Sequence, residues 1–160
     1  MALDDNNDFT DDAVHILVFL HIIFSTRQQM PYLVDEDIRK QMHQRLSSIG
    51  DGMGCPCVLV SGSDDHVHLL IKGSPELSVD EMVDTLKADS AAWLQARDGF
   101  YADFDWQESS VAFTESPEYV GTIKGELERH EQMHKEIDFK TELVAILEEQ
   151  GIEFDEEIWD

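Results

Sequence analysis

The chain has 160 residues, 42% of them apolar, which is enough for one domain with a real core and too few for two. Its formal charge is −24, from 35 acidic against 11 basic side chains. Such a field opposes contact with phosphate backbones and argues against any function that needs a broad basic surface; it fits an acidic surface adapted to high salt.

Residues 1–12 carry five aspartates and no basic side chain, the reverse of the start of a signal peptide. The longest apolar run, Ala13 to Phe24, is interrupted by His15 and His21 and falls short of a membrane span. The expectation is a cytoplasmic protein with no membrane partner: a disordered acidic leader over 1–12, then a single domain over 13–160.

Ala13 to Ser25 is rich in Val, Ile, Leu and Phe and predicts a central strand. From Asp35 to Ile49, apolar residues at Ile38, Met42, Leu46 and Ile49 predict a one-faced helix stopped by Gly50. Two strands follow, Cys55 to Ser61 and His66 to Lys72, joined by a Gly-Ser-Asp-Asp turn and so antiparallel. Cys55 and Cys57 are too close for an ordinary disulfide and read as small strand residues in a reducing cell. Ser78-Val79-Asp80-Glu81 is a capping box opening a helix to about Arg97, with a buried stripe of Met82, Val83, Leu86, Ala91 and Leu94. Ser110 to Thr114 predicts a fourth strand. Ser116-Pro117-Glu118 predicts a helix start with Ser as the cap, running to about Lys135, and a last helix spans Phe139 to Gln150 before Gly151. The order strand, helix, strand, strand, helix, strand predicts an α+β fold: a ferredoxin-like antiparallel sheet with helices on one face, followed by a C-terminal helical hairpin.

Two places could carry chemistry. On the strand from His66, alternation puts His66 and His68 on one face, where they are either hydrogen-bonded strand histidines or two ligands of a divalent cation. On the helix after Pro117, Tyr119, Ile123, Glu126, His130 and His134 recur at spacings that share one face, which is either a solvated stripe or a surface laid over the strand histidines.

Several stretches then carry a family likeness: His21-Ile22-Ile23-Phe24-Ser25-Thr26, Asp65-His66-Val67-His68-Leu69-Leu70, the run Leu86-Lys87 through Leu94, Phe104-Asp105-Trp106-Gln107, and His134-Lys135 through Phe139 to Trp159. On these the chain resembles the single-tyrosine HUH transposases, the small enzymes of the insertion-sequence 200/605 group and their relatives associated with repetitive extragenic palindromes. The resemblance implies a homodimer that recognises hairpins in single-stranded DNA. It also implies that the two strand histidines hold Mg²⁺ or Mn²⁺, that a tyrosine on the late helix attacks the phosphate to form a 5′-phosphotyrosine link, and that a glutamine four residues later completes the metal site.

This sequence departs from that pattern at the nucleophile. Counting from Phe113 and from His134 places the family's tyrosine at Glu126 and its glutamine at His130. Tyr119 lies seven residues earlier, roughly 10 Å along the helix axis. One expectation is a protein that has lost strand transfer and is inactive or repurposed for DNA or metal binding, its site enlarged to His66, His68, His130 and Glu126, with histidine favouring ions softer than Mg²⁺. The rival is a hydrolytic DNA nuclease in which the metal activates water and Glu126 is the general base. In a third reading Tyr119 substitutes as the nucleophile. Lys87 matches a family position for DNA contact, and Arg27, Lys72 and Lys124 are further candidates by placement. Trp93, Trp106 and Phe113 read as core.

Overall fold

A computed structural model of the chain describes residues 16–133 and 137–155, with the side chains of 130–133 outside that description. The acidic leader and the first residues of the expected opening strand lie outside the described residues.

The sheet has four strands in the order β2-β3-β1-β4. Strand β1 is Phe19–Ser25, β2 is Cys57–Gly62, β3 is His66–Lys72 and β4 is Val111–Glu115. All neighbours are antiparallel, with β1 central between β3 and β4. Helix α1 (Glu36–Gly52) follows β1 and α2 (Val79–Gln95) follows β3, giving the ferredoxin-like order expected from the sequence. Helices α3 (Val120–Met133) and α4 (Phe139–Gln150) complete the chain.

Strand alternation divides the core in two. Leu20, Ile22 and Phe24 of β1 and Val67, Leu69 and Ile71 of β3 pack with Met42 and Leu46 of α1 and Met82, Leu86 and Leu94 of α2. On the opposite face Ile23 of β1 and Val111 of β4 pack with Phe139, Leu143 and Leu147 of α4. The C-terminal helices therefore cover the second face of the sheet, and that face carries the histidines.

Helix starts follow local chemistry. Asp35 accepts from the backbone N–H of Asp37 and Ile38 at 2.9 and 3.1 Å, Ser78 from Glu81 at 3.1 Å, and Asp138 from Thr141 at 2.8 Å. Ser116 makes no such bond; its carbonyl accepts from Tyr119 N–H at 2.9 Å, and Pro117–Tyr119 forms a 3₁₀ turn before α3 begins. Gly151 ends α4 at φ 68°, as its type allows. Gly50, expected to stop α1, lies inside it. A Cβ there would sit 2.7 Å from the Cys55 carbonyl oxygen, so the glycine serves the close approach of α1 to the start of β2.

Candidate metal centre

His66 and His68 project from β3 toward α4, each 1% exposed. Both approach a side chain from that helix: His68 Nε2 is 3.1 Å from Glu142 Oε1, and His66 Nε2 is 3.4 Å from Glu142 Oε2. One ligand atom from each of the three residues lies within 4.8 Å of the others. Two imidazoles and a carboxylate, buried and converging at that separation, fit a divalent cation.

Glu142 is held there by its helix. The Asp138 cap fixes the first turn of α4, Phe139 stacks on the His66 ring with centroids 4.3 Å apart, and Leu143 is anchored in the second core. Burial pushes the Glu142 carboxyl up, but hydrogen bonds from His66 and His68 outweigh it and hold the group well below the usual carboxylate range. Burial opposes charge on His66, yet hydrogen bonds to Asp65 and Glu142 raise it above its ordinary value.

The outer nitrogens are occupied as well. His66 Nδ1 lies 2.8 Å from Asp65 Oδ1, to which Ser63 Oγ also donates at 3.1 Å. The Ser63–Asp65 turn is tight because Gly62 packs against β3, where a Cβ would meet the His66 carbonyl oxygen at 2.2 Å. His68 Nδ1 lies 2.9 Å from Nε2 of His21 on β1, and His21 Nδ1 faces Glu115 Oε1 of β4 at 3.6 Å. Burial first, then the neighbouring His68, lowers His21 to about 3, so its ring is neutral at physiological pH.

Two clefts reach the cluster. One, of about 460 Å³, is lined by Arg39, Asp64, Asp65, His66 and Phe139; the other, of about 290 Å³, by His21, His68, Glu115, Glu126, Glu142 and Glu149. Glu126, on α3 of the same chain, lines the smaller cleft with His21 and His68 but not the larger one with His66, while the His130 side chain lies outside the described residues. Tyr119 is 58% exposed in the 3₁₀ turn and lines neither cleft.

Three of the four candidate DNA contacts have partners within the chain. The Lys87 ammonium donates to the carbonyls of Gln107 and Glu108 at 2.7 and 3.0 Å. Arg27 pairs with Asp105 at 2.6 Å, Lys124 lies 3.9 Å from Glu128, and Lys72 is half-buried at the end of β3. Trp106 is core, its indole N–H donating to Ser90 Oγ at 2.9 Å; Phe113 packs on His21, and Trp93 lies half-buried beneath Arg97.

Sequence reasoning missed Glu142 and His21. The signal for Glu142 was a carboxylate inside the apolar stripe Phe139, Leu143, Leu147. The signal for His21 was a third histidine at the right parity on a neighbouring strand, with Ile23 and Ser25 placed directly across from His68 and His66.

A ferredoxin-like sheet bearing a His-x-His strand, closed by a carboxylate from a late helix, defines an α+β protein with a candidate metal site on one sheet face. The chain belongs to the family described as "Transposase IS200 like", whose pattern matches residues 13–130. It is similar in fold to the crystal structure of a candidate transposase from Deinococcus radiodurans R1, with a TM-score of 0.57 and 22% identity over 74% of this chain and 95% of that one. No curated protein is significantly similar to it. Among the described residues no helix is long and apolar enough to cross a membrane.

Proposed function

We propose that this chain is a metal-binding member of the transposase family that has lost the covalent step and retains, at most, recognition of single-stranded hairpin DNA as a homodimer in the cytoplasm. The observation that supports this reading is the character of the smaller cleft: Glu126, which the sequence count aligns with the family's tyrosine, lines it together with His68 and Glu142. A carboxylate there cannot replace a phenolate, because an acyl phosphate linked to DNA hydrolyses quickly. His66, His68 and Glu142 would hold the divalent ion, Mg²⁺ or Mn²⁺ by family likeness, and the ligand role that the sequence count gives His130 would favour a softer one. When bound, the ion would polarise a phosphate oxygen. Glu115 and Glu149, which line the same cleft, oppose the approach of a phosphodiester and support the non-catalytic reading.

A second reading rests on the same placement: Glu126, near the cluster and free of the core, acts as general base toward water in a hydrolytic nuclease. The test is calorimetric titration of the native protein and Glu142→Gln with Mn²⁺, beside a cleavage assay on hairpin-bearing single-stranded DNA with the native protein and Glu126→Tyr. The expected result is one Mn²⁺ per chain, weakened at least about tenfold in Glu142→Gln, with no cleavage by the native protein and a covalent adduct only with Glu126→Tyr. Free 5′-phosphate ends from the native protein would establish the nuclease instead. Failure of the native protein to take up metal would end both readings.

A further inference from the structure

The geometry points to His21 as a positioning residue that, backed by Glu115, holds the ring proton of a metal-bound His68 on Nδ1, the nitrogen turned away from the centre; this rests on the metal-binding reading above. His68 has one ring nitrogen for each neighbour: Nε2 is 3.1 Å from Glu142 Oε1, and Nδ1 is 2.9 Å from His21 Nε2. Only one proton can lie between two imidazole nitrogens, so one ring donates and the other accepts.

With a cation between His66, His68 and Glu142, His68 Nε2 gives its lone pair to the ion and the ring proton must sit on Nδ1. His68 Nδ1–H then donates to His21 Nε2, which leaves the His21 proton on Nδ1, the nitrogen 3.6 Å from the Glu115 carboxylate. The opposite arrangement would set a bare Nδ1 lone pair against that carboxylate and a proton on the metal-facing nitrogen of His68. In the metal-free chain the Glu142 carboxylate draws the His68 proton to Nε2; once a cation takes that place, Glu115 favours the proton arrangement the cation requires. All three side chains come from separate strands, β4, β1 and β3, so the row crosses the sheet within one face. His66 reaches the same end differently, by a local carboxylate, Asp65, 2.8 Å from its Nδ1.

The test compares native protein, His21→Phe, His21→Gln and Glu115→Gln by calorimetric titration with Zn²⁺, with ¹⁵N spectra of the His68 ring in the loaded state. His21→Phe fills the space but removes the acceptor, so affinity is expected to fall about 10- to 100-fold. His21→Gln restores an acceptor oxygen and should recover part of that loss, and Glu115→Gln should lie between native and His21→Phe. In the loaded native protein the His68 Nδ1 proton should exchange slowly, and in His21→Phe rapidly. A folded His21→Phe with native affinity and unchanged exchange would overturn the positioning role while leaving the metal site intact. No Zn²⁺ uptake by the native protein would remove the role together with the site, and unfolding of His21→Phe is met by the Gln variants, whose failure to differ from native would also overturn it.

Discussion

Buried polar side chains on the two faces of this sheet are treated in opposite ways. On the face toward α4, Glu142, His66, His68 and His21 form one connected set, each group with a partner of complementary character. On α1, His43 is half-buried with its Nε2 lacking a hydrogen-bond partner among the described residues. Burial, followed by the charges of Arg39 and His66, lowers His43 to about 4 from an ordinary 6.5. Above pH 6.5 neither the folded nor the unfolded chain protonates this ring, and it adds nothing to the pH dependence. Between pH 6.5 and about 4 the unfolded chain takes up a proton that the fold refuses, so stability must fall as pH falls; below about 4 the full cost has been reached. That cost is up to about 3 kcal/mol. Urea unfolding in EDTA at pH 7.5, 5.5 and 4.5 should therefore show His43→Leu matching or exceeding the native protein at the highest pH and losing less stability at the lowest. Parallel pH curves for the two proteins would count against a buried neutral ring.

At the scale of elements, the contact between α1 and β2 is set by a missing side chain. The helix runs through Gly50, whose carbonyl accepts from Cys55 N–H at 2.8 Å. A methyl group there would press on the Cys55 carbonyl at 2.7 Å and on Cys57 Sγ at 3.0 Å, and the backbone carbonyl cannot swing aside. Gly52, two residues on, has nothing within 4 Å of the same methyl position. One substitution should then have opposite signs: Gly50→Ala loses about 1–3 kcal/mol by overpacking, and Gly52→Ala gains about 0.5 kcal/mol from reduced chain entropy. Equal effects in denaturant melts would show that α1 can slide on the sheet. This helix also marks how far the sequence could be read. The order of elements, the cap at Ser78 and both ends of α4 were legible, because spacing and capping are local. Gly50 reads as a stop because a glycine required by tertiary contact looks, in sequence, like one required by a turn. His66 and His68 were legible from alternation on one strand. Glu142 and His21 were not, since their meeting depends on the pairing of β1 with β3 and on where α4 lands, and neither leaves a local mark.

For the whole molecule the governing quantity is the formal charge of −24. Two of the cations that could offset it are committed within the chain: Lys87 to two carbonyls and Arg27 to Asp105. The centre itself adds Glu115, Glu126, Glu142 and Glu149 around one cleft. Repulsion among these charges weakens the fold at low ionic strength and relaxes as the screening length drops from about 10 Å at 0.1 M to about 3 Å at 1 M salt. Raising NaCl from 0.1 to 2 M should accordingly raise the melting temperature, by about 2–4 °C for each kcal/mol of repulsion removed in a chain of this size. The same reasoning fixes the sign for DNA. A protein that binds through many Lys and Arg contacts releases counterions and loses affinity steeply with salt. Here few phosphates can be neutralised and the long-range force is repulsive, so salt should assist the association proposed above by screening. Anisotropy of a labelled single-stranded hairpin with Mn²⁺, from 0.1 to 2 M NaCl, should give a shallow or rising dependence of affinity on salt. A steep fall would mean that a basic surface carries the binding, and the expectation that charge repulsion governs it would have to be abandoned.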